Sequence, residues 1–222
     1  MNSDLPEILL AATGETFYML LFTSLIGLIL GFPLGVLLTV TGKGHILERY
    51  RTNKAVGLIV NTVRSFPSII LIVVLLPLSR FIVGTTLGMT AALVPLSICA
   101  APFIARIIES ALKEVDKGKV EASIAMGATV PSSIIKVLIP EALPSLIRGV
   151  TIAVITILEL TAIAGAIGAG GLGSLAIRYG YQRFRDDVMI ITVALLVILV
   201  QSIQFAGERF ARIISKRRHI FE

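Results

Sequence analysis

Gly168-Ala169-Gly170-Gly171-Leu172-Gly173 satisfies G-x-G-x-x-G, the spacing at which backbone amides cradle a dinucleotide pyrophosphate, and Asp186 and Asp187 follow at a distance suited to a ribose. That chemistry needs a strand before the glycines and an amphipathic helix after them. Residues 150–167 are instead a long apolar run interrupted only by Glu159. Glycines so spaced in a membrane segment serve close helix packing, or a break in a helix at a cavity. Gly165, Gly168, Gly170, Gly171 and Gly173 are therefore read as packing or hinge positions. Other reactive groups are few. Cys99 is the one thiol and lies in an apolar run, so the chain can form no internal disulfide and no thiol pair for a metal. His45 and His219 lie far apart, without a neighbouring nucleophile or carboxylate cluster, and read as surface histidines. Gly42-Lys43 and Gly118-Lys119 lack the upstream glycine of a nucleotide-binding P-loop, so any ATP that drives this protein is bound, with its Mg, by another chain. No catalytic residue, metal ligand or cofactor is assigned to this one.

Two charges stand inside apolar sequence. Glu159 has uncharged residues on both sides, and an unpaired carboxylate in lipid is costly, so it must be protonated, paired or turned to a water-filled cavity. Thr161 and Ile163 follow at two and four positions, and the three are candidates for a substrate path, with Ile163 as an apolar gate. Arg64 stands about a third of the way into another apolar run, where its long side chain can snorkel to the headgroups.

The elements that must hold these groups are membrane helices. At 55% hydrophobic residues and mean hydropathy +0.93, the chain is too apolar for a soluble domain. Five runs have spanning length: Thr16–Gly42, Ala55–Ser79, Phe81–Ala105, Gly149–Ile177 and Val188–Gly207. Pro77, Gly84 and Gly88 mark the short turn between the second and third. The reading is all-α: a short external segment over residues 1–15, a transmembrane domain over 16–208 that includes a cytoplasmic loop at 112–147, and a basic cytoplasmic tail over 209–222. Pro95, Pro102 and the glycines from Gly165 to Gly173 are candidate bends.

Of the 20 Lys and Arg residues, only Arg80, Arg178, Arg183 and Arg185 fall on one side of this scheme. The other 16 flank the first and third connections and the C-terminal tail. The positive-inside rule then puts the N-terminus outside and the C-terminus, with the 112–147 loop, in the cytoplasm. The basic residues serve as insertion signals and headgroup anchors, so the charge of +6 calls for no nucleic acid. The N-terminus, with Asp4, Glu7 and Glu15 and no basic start, does not read as a cleaved signal.

Within that loop, residues 121–140 read EASIAMGATVPSSIIKVLIP. Glu121 is expected to open a helix, its carboxylate against the positive end of the dipole. Ala122, Ser123, Ala125 and Ala128 are small, Gly127 has no side chain, and with Met126 they form a face that another protein can approach closely. Val130 and Pro131 break the run, while Pro140 and Pro144 suit the first turn of the next helix. The stretch resembles the "EAA" loop of bacterial ABC-importer permeases: E-A-A, three residues, G, nine residues, I-x-L-P. Glu121, Ala122, Gly127 and Pro140 match, Val137 and Ile139 stand for Ile and Leu, and Ser123 replaces the second Ala.

Residues 61–88, 94–106, 165–184 and 203–210 are similar to permeases of the methionine importer group, so the resemblance covers most of the chain. It implies the type I importer fold in the bacterial inner membrane and a homodimer of five-span subunits. It further implies two cytoplasmic ATPase subunits and an external binding protein, for uptake of D- and L-methionine. Glu159 departs from the group's pattern, in which that position is uncharged. Three classes stay open: an ABC permease for methionine or another small polar solute, an ion-coupled transporter with Glu159 as proton carrier, and a membrane enzyme. The last lacks a catalytic constellation, and the second lacks an internal repeat.

Overall fold

The computed structural model describes residues 5–219, with side chains to Lys216; Ser3, Asp4 and the side chains of Arg217, Arg218 and His219 lie outside the described residues. Helix α1 (Leu5–Val40) starts eleven residues before Thr16. Residues 5–15 are thus the first turns of the same helix, because Pro6 and Glu7 suit a helix start and the following residues are strong helix formers. Its 36 residues reach about 54 Å, well beyond a hydrocarbon layer of ~30 Å.

The second run is not one straight helix. α2 (Tyr50–Ser65) and α3 (Ser68–Val74) meet at a 98° bend. The cause is local: Pro67 disfavours helical geometry in the residue before it, and Phe66 is extended at φ −76°, ψ 137°. α4 (Leu76–Val83) follows, with Pro77 in its first turn and Gly84 at φ +86° ending it. The third span, α5 (Met89–Lys113), starts eight residues later and ends eight later than its apolar run, and it passes through Pro95 and Pro102 unbroken. Gly84 and Gly88 do flank the turn between them; Pro77 starts a helix.

Beyond α5 the chain forms α6 (Lys117–Ala125), α7 (Val130–Ser133), a π-helical turn at Ile134–Leu138 and α8 (Ile139–Glu141). The fourth span, α9 (Leu143–Ala164), passes through a second π turn at Gly165–Ala169 into α10 (Gly171–Leu175). A third π turn, Ala176–Tyr181, leads to α11 (Asp186–His219). Among the described residues every regular element is helical. Four helices are long and apolar enough to span a membrane, and the bent α2–α3 pair reaches the same length and hydropathy when its two parts are taken together.

The core lies between α1, α5 and α9, where Leu20, Ile104, Ile108, Leu112, Leu146 and Ile157 are buried together. The α1–α5 contact is unusually close. Gly27, Gly31 and Gly35 form a ridge on α1, and a Cβ at Gly31 or Gly35 would fall 2.6 Å from the carbonyl oxygen of Ala101 or Ala105. At the loop end of the bundle, Arg106 holds α2 to α5, donating to Asn61 Oδ1 at 2.7 Å and to Glu109 Oε2 at 2.5 Å. Glu109 is buried, and Lys113 Nζ supplies its second partner at 2.7 Å.

Candidate functional site

The 112–147 loop projects from the end of α5 as a helical knob, and Asp116, not Glu121, opens it. The Asp116 carboxylate accepts the Gly118 amide at 2.8 Å as N-cap of α6, which leaves Glu121 in mid-helix. Asp116 carried the signal, being the residue type of a cap ahead of helix formers. α6 ends in a Schellman motif: the Ala128 amide donates to Ser123 O at 3.1 Å and the Gly127 amide to Ile124 O at 2.8 Å. Gly127 stands at φ +87° with open space where a Cβ would be, so glycine is favoured here by backbone conformation within the chain.

Ser123 corrects a second expectation. It is buried, donates to Val120 O at 2.8 Å and pairs with the buried Ser133 hydroxyl at 2.8 Å, tying α6 to α7. Glu121, Ala122, Ile124, Ala125 and Met126 are exposed, Met126 by 82%, and Ala128 is half-buried beside them. This exposed face therefore sets the long, flexible Met126 side chain beside the small Ala122 and Ala125, a combination suited to filling a pocket in another protein. The knob is braced against α8 and α9 by the Lys119–Glu141 ion pair and by the Ser145 hydroxyl, which donates to Glu114 Oε2 at 2.5 Å. Between α6 and the α1–α2 connection lies a cavity of about 270 Å³ lined by residues including His45, Lys117, Glu121 and Ile124. Burial lowers the His45 pKa below the ordinary value near 6.5, and the nearby Lys117 and Lys113 charges lower it further.

A second feature runs along α9 and α11. Arg148, Thr151, Thr156 and Glu159 on α9 face Gln204, Glu208 and Arg212 on α11 across an open groove of about 690 Å³. The α11 residues recur every fourth position and so form one stripe. Gln204 Nε2 donates to Glu208 Oε1 at 3.3 Å, and the Arg212 and Glu208 side chains approach to 3.9 Å. A face carrying both charge signs cannot rest against hydrocarbon and must meet water or protein. Glu159 is exposed on this face. Thr161 is not: it points into the protein, 2% exposed, and donates to Leu158 O at 2.7 Å. A separation of two residues turns a side chain to the far side of a helix. Ile163 packs half-buried beside Met19, Ile72, Leu96 and Leu160, away from the groove-lining residues. Sequence reading missed Arg148, Gln204, Glu208 and Arg212 as Glu159's companions, although their helical spacing was visible. Arg64 sits in the last turn of α2 beside the bend, where a cation complements the helix dipole.

The glycine run makes a break. Gly168, Gly170 and Gly171 have φ of +102°, +90° and +75°. A Cβ at Gly165 would fall 2.5 Å from the Ser174 amide nitrogen, and one at Gly173 would overlap the backbone of Ala162, so α10 packs back on the end of α9. Glu15 Oε2 accepts the Gly171 amide at 2.6 Å and Thr16 Oγ1 accepts the Leu172 amide at 2.8 Å. The amides that would hold a pyrophosphate in a dinucleotide site are thus filled by α1. Nothing in the local sequence around Glu15 announces a partner 156 residues away.

Comparison with known proteins agrees with this architecture. Residues 31–220 match the family described as "Binding-protein-dependent transport system inner membrane component". The probable D-methionine transport system permease protein MetI of Vibrio cholerae is 48% identical over 98% of this chain and 95% of its own length. The methionine import system permease protein MetP of Bacillus subtilis is 47% identical, with 97% of both chains covered. A structure of the MetNI methionine ABC transporter in an inward-facing conformation superposes with a TM-score of 0.94 at 46% identity, covering 96% of this chain and 99% of that one. An amino acid ABC transporter crystallised with histidines shares the fold, at a TM-score of 0.70 and 20% identity. The chain is a polytopic membrane protein that belongs to the family of inner-membrane components of binding-protein-dependent transport systems.

Proposed function

We propose that the chain is the permease subunit of an ATP-driven importer for methionine, in its D and L forms, working as a homodimer with two cytoplasmic ATPase subunits and an external binding protein. The observation that carries the reading is the braced docking helix α6, with its Schellman cap and exposed Met126, on a bundle that overlays a methionine transporter at a TM-score of 0.94. This chain supplies the path and not the hydrolysis; ATP and Mg belong to the partner. One docking loop per chain suits a pair of chains facing a pair of ATPases across a twofold axis. Closure of the ATPase pair moves both loops, and the Lys119–Glu141 and Ser145–Glu114 contacts carry that movement into α8 and α9. The loop and the C-terminus then lie in the cytoplasm and the N-terminus outside, in accord with the distribution of basic residues.

The groove is the stretch of α9 and α11 that lines the path. Carboxylates and guanidiniums on its walls match both ends of a zwitterion, and Ile152 and Ile155 offer apolar surface to a thioether side chain. Stringent selection is left to the binding protein. Glu159→Gln, which keeps the side chain's shape, is expected to retain assembly and methionine uptake, read in vesicles. The decisive experiment is reconstitution with the ATPase and binding protein and a panel of amino acids. ATP-dependent methionine uptake supports the reading; import of another amino acid without methionine overturns the substrate, and purification without any ATPase overturns the class.

A further inference from the structure

A helix that breaks and restarts at membrane depth leaves the first amides of its second part without carbonyl partners, and lipid supplies none. α10 is such a restart, and its first two amides are met by side chains of α1. The Glu15 carboxylate takes the Gly171 amide at 2.6 Å. The Thr16 hydroxyl takes the Leu172 amide at 2.8 Å while donating its own proton to Ala12 O at 3.0 Å. The approach is as close as the chain permits: a Cβ at Gly170 would fall 2.5 Å from Glu15 Oε2, and one at Gly171 2.7 Å from Thr16 Oγ1. Met19, one turn along α1, lies 3.0 Å from the same Gly171 position.

Glu15 is 25 residues before Val40, which borders the cavity beside α6. At 1.5 Å per residue these two positions on α1 are about 37 Å apart, so this contact lies on the far side of the bilayer from the docking loop. Between them the Gly31 and Gly35 ridge fixes α1 to α5. The far half of the fourth span is thereby fastened to the α1–α5 unit, in a chain that overlays an inward-facing transporter.

We infer that Glu15 and Thr16 are positioning residues for transport: they latch α10 to α1, hold the path shut on the face away from the docking loop, and exchange their bonds for water when that face opens. The inference rests on the permease reading above. The three positive-φ glycines supply the hinge, and the latch sets which position the hinge holds.

The test uses the full transporter, reconstituted with its ATPase, with Cys99→Ala and a single cysteine at Ile163, half-buried below the break. An impermeant maleimide is added on the face opposite the docking loop, without nucleotide or substrate. The parent should label slowly. Glu15→Leu and Thr16→Val should label on the order of tenfold faster, as expected for loss of a buried bond to a charged or polar acceptor, with raised substrate-independent ATP hydrolysis. Glu15→Gln keeps an acceptor oxygen and should stay within about threefold of the parent. Thr16→Val removes the bond to the Leu172 amide, together with the local bond to Ala12 O, at nearly constant shape, so it decides the matter where Glu15→Leu fails to assemble. Parent-like labelling and hydrolysis in Thr16→Val, or Glu15→Gln behaving like Glu15→Leu, overturns the latch. The labelling is read without substrate, so a parent that imports no methionine overturns the substrate reading alone.

Discussion

At the level of single residues, Gly127 is the clearest case of a motif position whose cause lies inside the chain. Its φ of +87°, with open space within the chain on the side where a Cβ would stand, means that left-handed backbone by itself disfavours most other residues. Asparagine tolerates that conformation, whereas alanine and valine lose about 1–2 kcal/mol in adopting it. Gly127→Asn is therefore expected to retain most substrate-stimulated ATP hydrolysis and Gly127→Val to lose it; equal loss in both would return the cause to steric clearance. His45 gives a pH prediction. Its folded pKa lies below the unfolded value near 6.5, so the unfolded chain binds the proton first as pH falls. The histidine's neutral form contributes stability that is intact above pH 6.5 and is lost as pH drops below it. His45→Gln should flatten the decline in melting temperature of the detergent-purified protein between pH 7 and 5.5.

At the level of elements, α6 and α7 are joined by one buried hydroxyl pair, and the energetics of such pairs are asymmetric. Ser123→Ala leaves the Ser133 hydroxyl buried without its partner, at a cost of about 1–3 kcal/mol. Removing both hydroxyls should recover much of that loss. A double-mutant cycle on thermal unfolding, with the ATPase stimulation read alongside, measures the coupling; additive losses would mean that the two hydroxyls act independently. The same elements show why the sequence is readable in part. Apolar runs of spanning length need only counting, and all five correspond to helices or to a bent pair. The bend at Phe66-Pro67 escapes such counting, because hydropathy averages over a proline that reshapes the backbone. The Asp116 cap is equally local, yet the more familiar Glu121 of the loop motif draws the helix start four residues too late. Thr161 fails as a companion of Glu159 for want of helical phase, since residues two apart do not share a face.

For the whole molecule, what the sequence hides is distance. Glu15, Thr16 and the glycine run are each ordinary in their neighbourhoods, and only the packing of first span against fourth gives them a shared purpose. Orientation, by contrast, rests on summed charge and is open to direct measurement. With Cys99→Ala, a single cysteine at Thr85, in the turn before α5, should react with an impermeant maleimide added to intact spheroplasts. One at Met126 should react only after permeabilisation. The reverse pattern would turn the bundle over and remove the docking loop from the reach of any cytoplasmic ATPase.

The clasp between α1 and α10 also bears on how the protein is made. A ribosome delivers Glu15 to the membrane long before it delivers Gly171, so the acceptors are already waiting when the interrupted span arrives with two bare amides. Until that meeting the nascent fourth span is an incomplete insert with polar backbone to hide, and its lateral release into lipid is favoured only once the first helix is alongside. The order of synthesis thus matches the order in which the contact can form.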